Sequence, residues 1–219
     1  MGTWPVIELK NVSFSYPNGL EVFKDLSFEL HRGDRIGIVG HNGSGKTTLL
    51  HLIVGLIKPK AGEIIVFGKK RKDEKDFREV RKRVGLLFQD PEDQLFCPTV
   101  AEDVAFGPLN LKIPKEEVHR IVEQTLEEIG LSGFEDRVTY NLSGGEKKLV
   151  SLATLFAMSP DVLLLDEPTA GLDEKATEKI EAILTEKANT YIVVSHHRDV
   201  LKRITNRILR MENGRLREV

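Results

Sequence analysis

Residues 40–48, GHNGSGKTT, put three glycines ahead of one lysine and two threonines. Gly40, Gly43 and Gly45 weaken any strand or helix they interrupt, so a packed core gains nothing from them. The spacing G-x-x-x-x-G-K-T suits an anion instead. Such a loop lets backbone N–H groups, here including those of Asn42 and Ser44, converge on phosphate oxygens. A helix that follows adds its positive N-terminal end. Lys46 can then bridge the β- and γ-phosphates. The hydroxyl of Thr47, with Thr48 beside it, can reach a phosphate-bound Mg²⁺.

Phosphoryl transfer also needs an acid at the end of another buried strand. The stretch VLLLDE supplies Asp166 and Glu167. Asp166 suits Mg²⁺, held directly or through water. Glu167 stands one residue further, at the carboxyl edge where ligands bind in open α/β sheets. From there it can polarise an attacking water as a general base. In LSGGE, Ser143, Gly144 and Gly145 open another helix. Their N–H groups and the Ser143 hydroxyl make a second anion site, although such a triplet alone is usually a helix cap. A cradle with acids leaves kinase, GTPase and motor open; two phosphate-directed helix starts narrow the choice. If two chains pair head to tail, the cradle of one faces the SGG of the other across one γ-phosphate.

The elements that must hold these groups follow from periodicity. In VIELKNVSFSY, Ile7 and Leu9 alternate, then Val12, Phe14 and Tyr16 alternate one step out of phase. That pattern predicts a half-buried strand with a bulge near Asn11. EVFKDLSFEL follows as a second strand. RIGIVG is short and apolar, as a central strand should be, and runs into a helix from about Ser44 to Leu56. GEIIVFG and RVGLLF are further strands. From Pro98 to Ser159 the pattern is mostly helical. Pro114 suits a helix start; Val118, Ile121, Val122, Leu126 and Ile129 share one face, and Gly130 is a stop. Another helix runs from LSGG to about Met158. DVLLLDE, EKATEKIEAILTEKA, YIVVSHH and RILRMENGRL then read as strand, helix, strand and hairpin. Strands separated by helices imply parallel pairing and an α/β core, with the helical middle inserted into it. The mixed-charge run KKRKDEKDFREVRKR reads as a solvated surface segment.

Bulk properties set the limits. The chain has 219 residues, 40% hydrophobic and 30% charged, as expected of a globular protein. A net charge of −2 gives no global field to recruit nucleic acid or anionic lipid, and no nucleic-acid partner is expected. The one cysteine, Cys97, makes no internal disulfide and suits a reducing compartment. No secretory signal is visible at the start. No apolar run approaches the ~17–25 residues that cross a bilayer. A membrane role would need a partner to bring the chain there.

With these motifs in hand, the sequence resembles the nucleotide-binding subunit of ATP-binding cassette (ABC) proteins over nearly its whole length. The resemblance implies a P-loop NTPase core with a mostly parallel sheet, an N-terminal antiparallel β subdomain and an inserted helical subdomain. The chain would then be a single ABC ATPase domain, with core at about 1–91 and 158–219 and helices at about 92–157. FSYPNG resembles the A-loop, which implies that Tyr16 stacks on adenine. GHNGSGKTT is similar to the Walker A motif and VLLLDEP to the Walker B. LLFQDP resembles the Q-loop, where Gln89 would touch Mg²⁺ and sense the γ-phosphate. LSGGE resembles the signature motif. AGLD resembles the D-loop, with Asp173 at a dimer seam. YIVVSHH resembles the switch strand, with His196 on the γ-phosphate. The signature continues EKKL where many members have a glutamine-rich run ending in arginine, so Glu146 and Leu149 depart from the pattern. His197 stands where aspartate is common.

A narrower match lies in FQDPEDQLFCPTVAEDVAFGPLNL. It resembles ATPases of energy-coupling factor (ECF) transporters and related cobalt and nickel importers. The resemblance implies that Asp93, Gln94, Leu95 and Phe96 grip helices of a membrane subunit. It implies ATP and Mg²⁺ as cofactors and a homo- or heterodimer with another ABC ATPase. It also implies integral membrane partners, a transmembrane (T-type) and a substrate-binding (S-type) component. The protein would work at the cytoplasmic face of the cell membrane as the hydrolase that powers vitamin or cobalt/nickel uptake. Many members of the group carry a C-terminal extension that aids dimerisation. This sequence ends at Val219, soon after the last hairpin, so pairing without nucleotide is not expected and a partly different partner ATPase is an open alternative. A soluble ABC ATPase acting on nucleic acid or ribosomes is the alternative reading, and a regulatory nucleotide binder without turnover is another.

Overall fold

The computed structural model describes residues 4–219; Met1, Gly2 and Thr3, where the sequence opens, lie outside the described residues. Two sheets carry the chain. The first joins β1 (Ile7–Ser15), β2 (Glu21–Leu30), β4 (Ala61–Val66) and β5 (Lys69–Arg71), all antiparallel, in the order β2-β1-β4-β5. The second joins β3 (Arg35–Val39), β6 (Val84–Leu87), β7 (Val162–Asp166), β8 (Tyr191–Val194), β9 (Arg207–Glu212) and β10 (Arg215–Glu218). Its order is β10-β9-β3-β8-β7-β6, with every pairing parallel except the terminal hairpin β9–β10.

Helices α1 (Lys46–Ile53), α6 (Glu174–Lys187) and α7 (Arg198–Ile204) follow β3, β7 and β8. Between β6 and β7 the chain builds α3 (Val100–Asn110), α4 (Lys115–Ile129) and α5 (Gly144–Phe156). Alternation along the central strands splits the apolar residues between two cores. Leu163, Leu165, Tyr191 and Val193 pack with α3 to α7 residues such as Val104, Leu126, Val150, Ile180 and Leu201. Val162, Leu164, Ile192 and Val194 pack with α1 and with Phe14, Phe23 and Leu30 of the antiparallel sheet. Both faces of the parallel sheet are covered, which is why its strands read as apolar runs.

The bulge falls where the phase change put it. Asn11 has φ 49°, and the register of β1 shifts between Leu9 and Val12. Pro114 and Gly130 bound α4, the glycine in left-handed conformation. Two expectations are corrected. Helix α1 runs from Lys46 to Ile53, shorter than Ser44 to Leu56. Left-handed residues delimit it: Gly45 at φ 103° caps the start, and Gly55 at φ 72° turns the chain just past the end. The mixed-charge run is not wholly solvated either. It holds β5 and a helix, α2 (Glu74–Arg81), whose Asp73–Asp76 capping box starts the turn and whose Phe77 and Val80 enter the core.

Candidate active site

A cleft of about 590 Å³ opens beyond the carboxyl ends of β3, β6, β7 and β8. Tyr16, Asn42, Gly43, Lys46, Thr47 and Thr48 line it, with Gln89, Asp166, Glu167 and His196. The four strand ends bring together residues from Asn42 to His196, as an open α/β sheet does at its carboxyl edge, and Tyr16 joins them from the end of β1 in the antiparallel sheet.

The glycine loop is shaped by its neighbours as well as for a ligand. A Cβ on Gly45 would meet Val22 at 2.6 Å and the Phe23 ring at 2.8 Å, and its φ is left-handed. A Cβ on Gly40 would meet the Met211 carbonyl oxygen at 2.6 Å. Gly40 is therefore required by close packing on β9. Ser44 is buried beside it, and its hydroxyl has no hydrogen-bond partner among the described residues. Lys46 curls into the loop and its Nζ donates to the carbonyls of Gly40 at 2.9 Å and His41 at 3.0 Å. Burial lowers the lysine pKa, while Glu167 and Asp166 oppose the shift.

Thr47 Oγ1 donates to Asp166 Oδ2 at 2.6 Å, joining the first turn of α1 to the end of β7. Asp166 Oδ1 is buried with no hydrogen-bond partner among the described residues. A buried anionic oxygen in that state suits a hard cation. Glu167 follows in left-handed conformation, φ 48°, with its N–H bonded to the Val194 carbonyl at 2.9 Å. Its carboxylate is buried, which raises its pKa; the neighbouring His196 acts against that rise. The His196 N–H donates to Glu167 Oε2 at 3.4 Å. The His197 N–H bonds instead to the Ser195 hydroxyl at 3.1 Å, and His197 caps α7. Tyr16 shares a 2.9 Å hydrogen bond between its phenol and the Thr48 hydroxyl, and its ring meets Phe14 edge-on.

The remaining candidates lie outside this cleft. Ser143 caps α5 in a full capping box: its hydroxyl accepts from the Glu146 N–H at 3.3 Å and donates to Glu146 Oε2 at 2.8 Å. Asp173 caps α6 by accepting from the Ala176 N–H at 2.8 Å. The two helix starts lie side by side, since a Cβ on Gly145 would sit 3.7 Å from the Ala176 Cβ. A Cβ on Gly144 would meet no atom within 4 Å among the described residues. In the stretch after Gln89, Asp93 and Phe96 are exposed and Leu95 is buried. Gln94 is turned inward: its Nε2 donates to the Ser151 carbonyl and the Thr154 hydroxyl, each at 2.8 Å. Sequence reasoning passed over Lys148. Its position within the apolar stretch of α5 was the available signal, because a lysine there must find partners.

Parallel sheet, antiparallel sheet, inserted helices and carboxyl-edge cleft together define a P-loop nucleotide hydrolase of the cassette type. The profile of the ABC transporter family matches residues 23–170, and the chain belongs to that family. It is 49% identical over 212 residues to a putative ABC transporter ATP-binding protein of Brucella suis, covering 97% of this chain and 88% of the relative. It is 44% identical over 215 residues to the energy-coupling factor transporter ATP-binding protein EcfA of Methanocaldococcus jannaschii, covering 96% and 77%. Among solved structures it is similar to CbiO1 of Clostridium perfringens, part of the ABC transporter complex CbiONQ. That match has a TM-score of 0.87 and 33% identity, covering 97% and 87%. It is also similar to a dimer of the ATP-binding cassette MJ0796 in a post-hydrolysis state with ADP and Pi. There the TM-score is 0.88 and the identity 30%, covering 97% of each chain. The chain is an ABC-type ATP hydrolase.

Proposed function

We propose that this ATPase powers a membrane importer of the energy-coupling factor type through ATP-driven, head-to-tail dimer closure. The observation that carries the reading is the cleft. Lys46, Thr47, Gln89, Asp166, Glu167 and His196 converge there from four strand ends, in a chain 44% identical to an EcfA protein. No helix among the described residues is long and apolar enough to cross a membrane, so a partner would bring the chain to the cytoplasmic face of the cell membrane.

In this reading the triphosphate lies over residues 40–48, and Lys46 exchanges its bonds to Gly40 and His41 for phosphate oxygens. Tyr16 stacks on adenine, a contact worth ~0.5–1.5 kcal/mol. Thr47, Gln89 and Asp166 offer oxygen donors to a Mg²⁺, which when bound neutralises charge on the phosphates. Glu167 takes a proton from the attacking water, and His196 contacts the γ-phosphoryl. Ser143, Gly144 and Gly145 reach the phosphate of a partner protomer, with Asp173 at the same seam. Nothing among the described residues requires a glycine at Gly144: its φ is not left-handed and a Cβ there has room. An approach from outside the chain gives the glycine a reason. The exposed Phe96, edge-on to Phe106, offers an apolar contact for the membrane subunit, and Asp93 lies exposed nearby. Gln94, held inward, supports that surface from behind.

The test is the E167Q variant, expressed with a tag in its own host. It should bind ATP, accumulate as a dimer with Mg-ATP and co-purify with an integral membrane protein. A variant that stays monomeric with ATP refutes the closure. Capture of ribosomes or nucleic acid, with no membrane protein, refutes the importer.

A further inference from the structure

Lys148 is 4% exposed, in the stretch of α5 whose neighbours Leu149, Val150 and Leu152 are core. An ammonium so placed is costly unless its donors are met. Its Nζ lies 2.5 Å from the Gln89 carbonyl oxygen and 3.3 Å from the Glu167 carbonyl oxygen. Both accepting residues line the cleft. Burial lowers the lysine pKa, and Asp166, Asp90 and Glu167 oppose that shift.

The two carbonyls differ in what they need. Glu167 holds a left-handed backbone, which is strained for a residue with a side chain and persists only where its surroundings hold it. Its N–H is fixed by Val194, and its C=O accepts from the Ala170 N–H at 3.2 Å as well as from Lys148, so the peptide units on either side of the Cα are tied, and of these bonds only the one to Lys148 reaches α5. Gln89 begins the loop between β6 and α3. That loop is tied to α5 further along, by Gln94 to Ser151 and Thr154 and by Lys147 to Glu92. Among these ties only Lys148 also reaches the end of β7.

We propose that Lys148 is a positioning residue for hydrolysis, setting the Gln89 and Glu167 backbones at a fixed spacing whenever α5 is docked on the sheet. The inference rests on the roles given above to those two side chains. It makes turnover depend on where the signature helix sits, with no contact between Lys148 and nucleotide.

The experiment measures steady-state ATP hydrolysis and ATP affinity, by fluorescent-analogue titration, for the full chain carrying K148M, K148Q or K148R. K148M should lower kcat by about 10- to 100-fold, the loss that small misplacement of reacting groups produces. Its ATP affinity should stay within about twofold, because the phosphate loop is untouched. K148R, which keeps a charged donor, should recover part of the rate. Native turnover by K148M overturns the proposal. Loss of rate and affinity in step also overturns it, since that marks a helix come loose. Should K148M not fold, K148Q, which keeps N–H donors without charge, is judged by the same split. E167Q run in parallel separates the two ideas: normal turnover there defeats the assigned base whatever Lys148 does.

Discussion

His196 Nε2 lies 3.1 Å from Glu167 Oε1, with the imidazole half exposed and the carboxylate buried. The pair sets an imidazole at the cleft's rim against a carboxyl that burial makes hard to ionise. Desolvation raises the Glu167 pKa above its ordinary 4.5, and His196 is the largest influence pulling it back. The proposed role of general base requires the ionised form, so hydrolysis should fall as pH drops through that raised value. Replacing His196 with alanine removes the opposing influence. The acid limb of the kcat–pH profile should therefore move to higher pH in H196A, beyond any loss in the plateau. An acid limb left in place would break the electrostatic link between the two residues.

The same shift has a sign for stability. A carboxyl with a raised folded pKa binds its proton more tightly folded than unfolded. Stability therefore falls as pH rises from the unfolded value through the folded one, and the deficit persists above it. E167Q removes the buried charge. It should melt higher than the native chain at about pH 8, with the gain shrinking toward about pH 4. Calorimetry of both proteins across that range checks it. A variant that melts lower at alkaline pH would mean the carboxylate is a net stabiliser, against the burial seen here.

Lys46→Ala should cost nucleotide affinity by about tenfold or more, since charge-assisted hydrogen bonds contribute about 1.5–3 kcal/mol each. In the structure the ammonium is held only by the loop's carbonyls at Gly40 and His41, among the bonds described. Its removal should weaken bare triphosphate as much as ATP in a competition titration. Unchanged binding would remove the loop from the phosphate site.

Much of this was legible before any coordinates. The glycine loop, the acid pair and the apolar central strands are local patterns, and a short strand covered on both faces looks alike in sequence and structure. The phase slip between Leu9 and Val12 gave away the bulge for the same reason. What stayed hidden is long-range. Helix α2 buries only Phe77 and Val80 from a run of charges, too few apolar residues to show a period. The inward turn of Gln94 depends on where α5 lies, and so does the Lys148 bridge to Gln89 and Glu167. Gly40 looks like a cradle residue in sequence, while its close contact with the Met211 backbone comes from the far end of the chain.

Tyr16 offers two separable contributions. Its ring is the proposed adenine platform, and its phenol bonds to Thr48. Tyr16→Phe should keep the ATP affinity and lose only that hydrogen bond, about 0.5–1.5 kcal/mol of stability. Tyr16→Ala should weaken ATP several-fold, in line with a stacking contribution of ~0.5–1.5 kcal/mol, and leave bare triphosphate unaffected. Equal weakening of both ligands would show that the tyrosine supports the loop and does not meet the base.

Gly144→Ala separates folding from assembly. The added methyl meets open space among the described residues and needs no left-handed backbone. Alanine is also the better helix former, so thermal stability of the isolated protein should be unchanged or slightly higher. If a partner's phosphate approaches this helix start, the methyl overpacks the seam at a cost of about 1–3 kcal/mol. The Mg-ATP dimer formed on an E167Q background should then weaken by about 10- to 100-fold, read by analytical ultracentrifugation. Turnover in the otherwise native chain should fall with it, while monomer affinity for ATP, set by residues 40–48, stays as it was. A G144A protein that melts, dimerises and hydrolyses as before would leave Gly144 with no ligand at all, and with it the head-to-tail arrangement would fail.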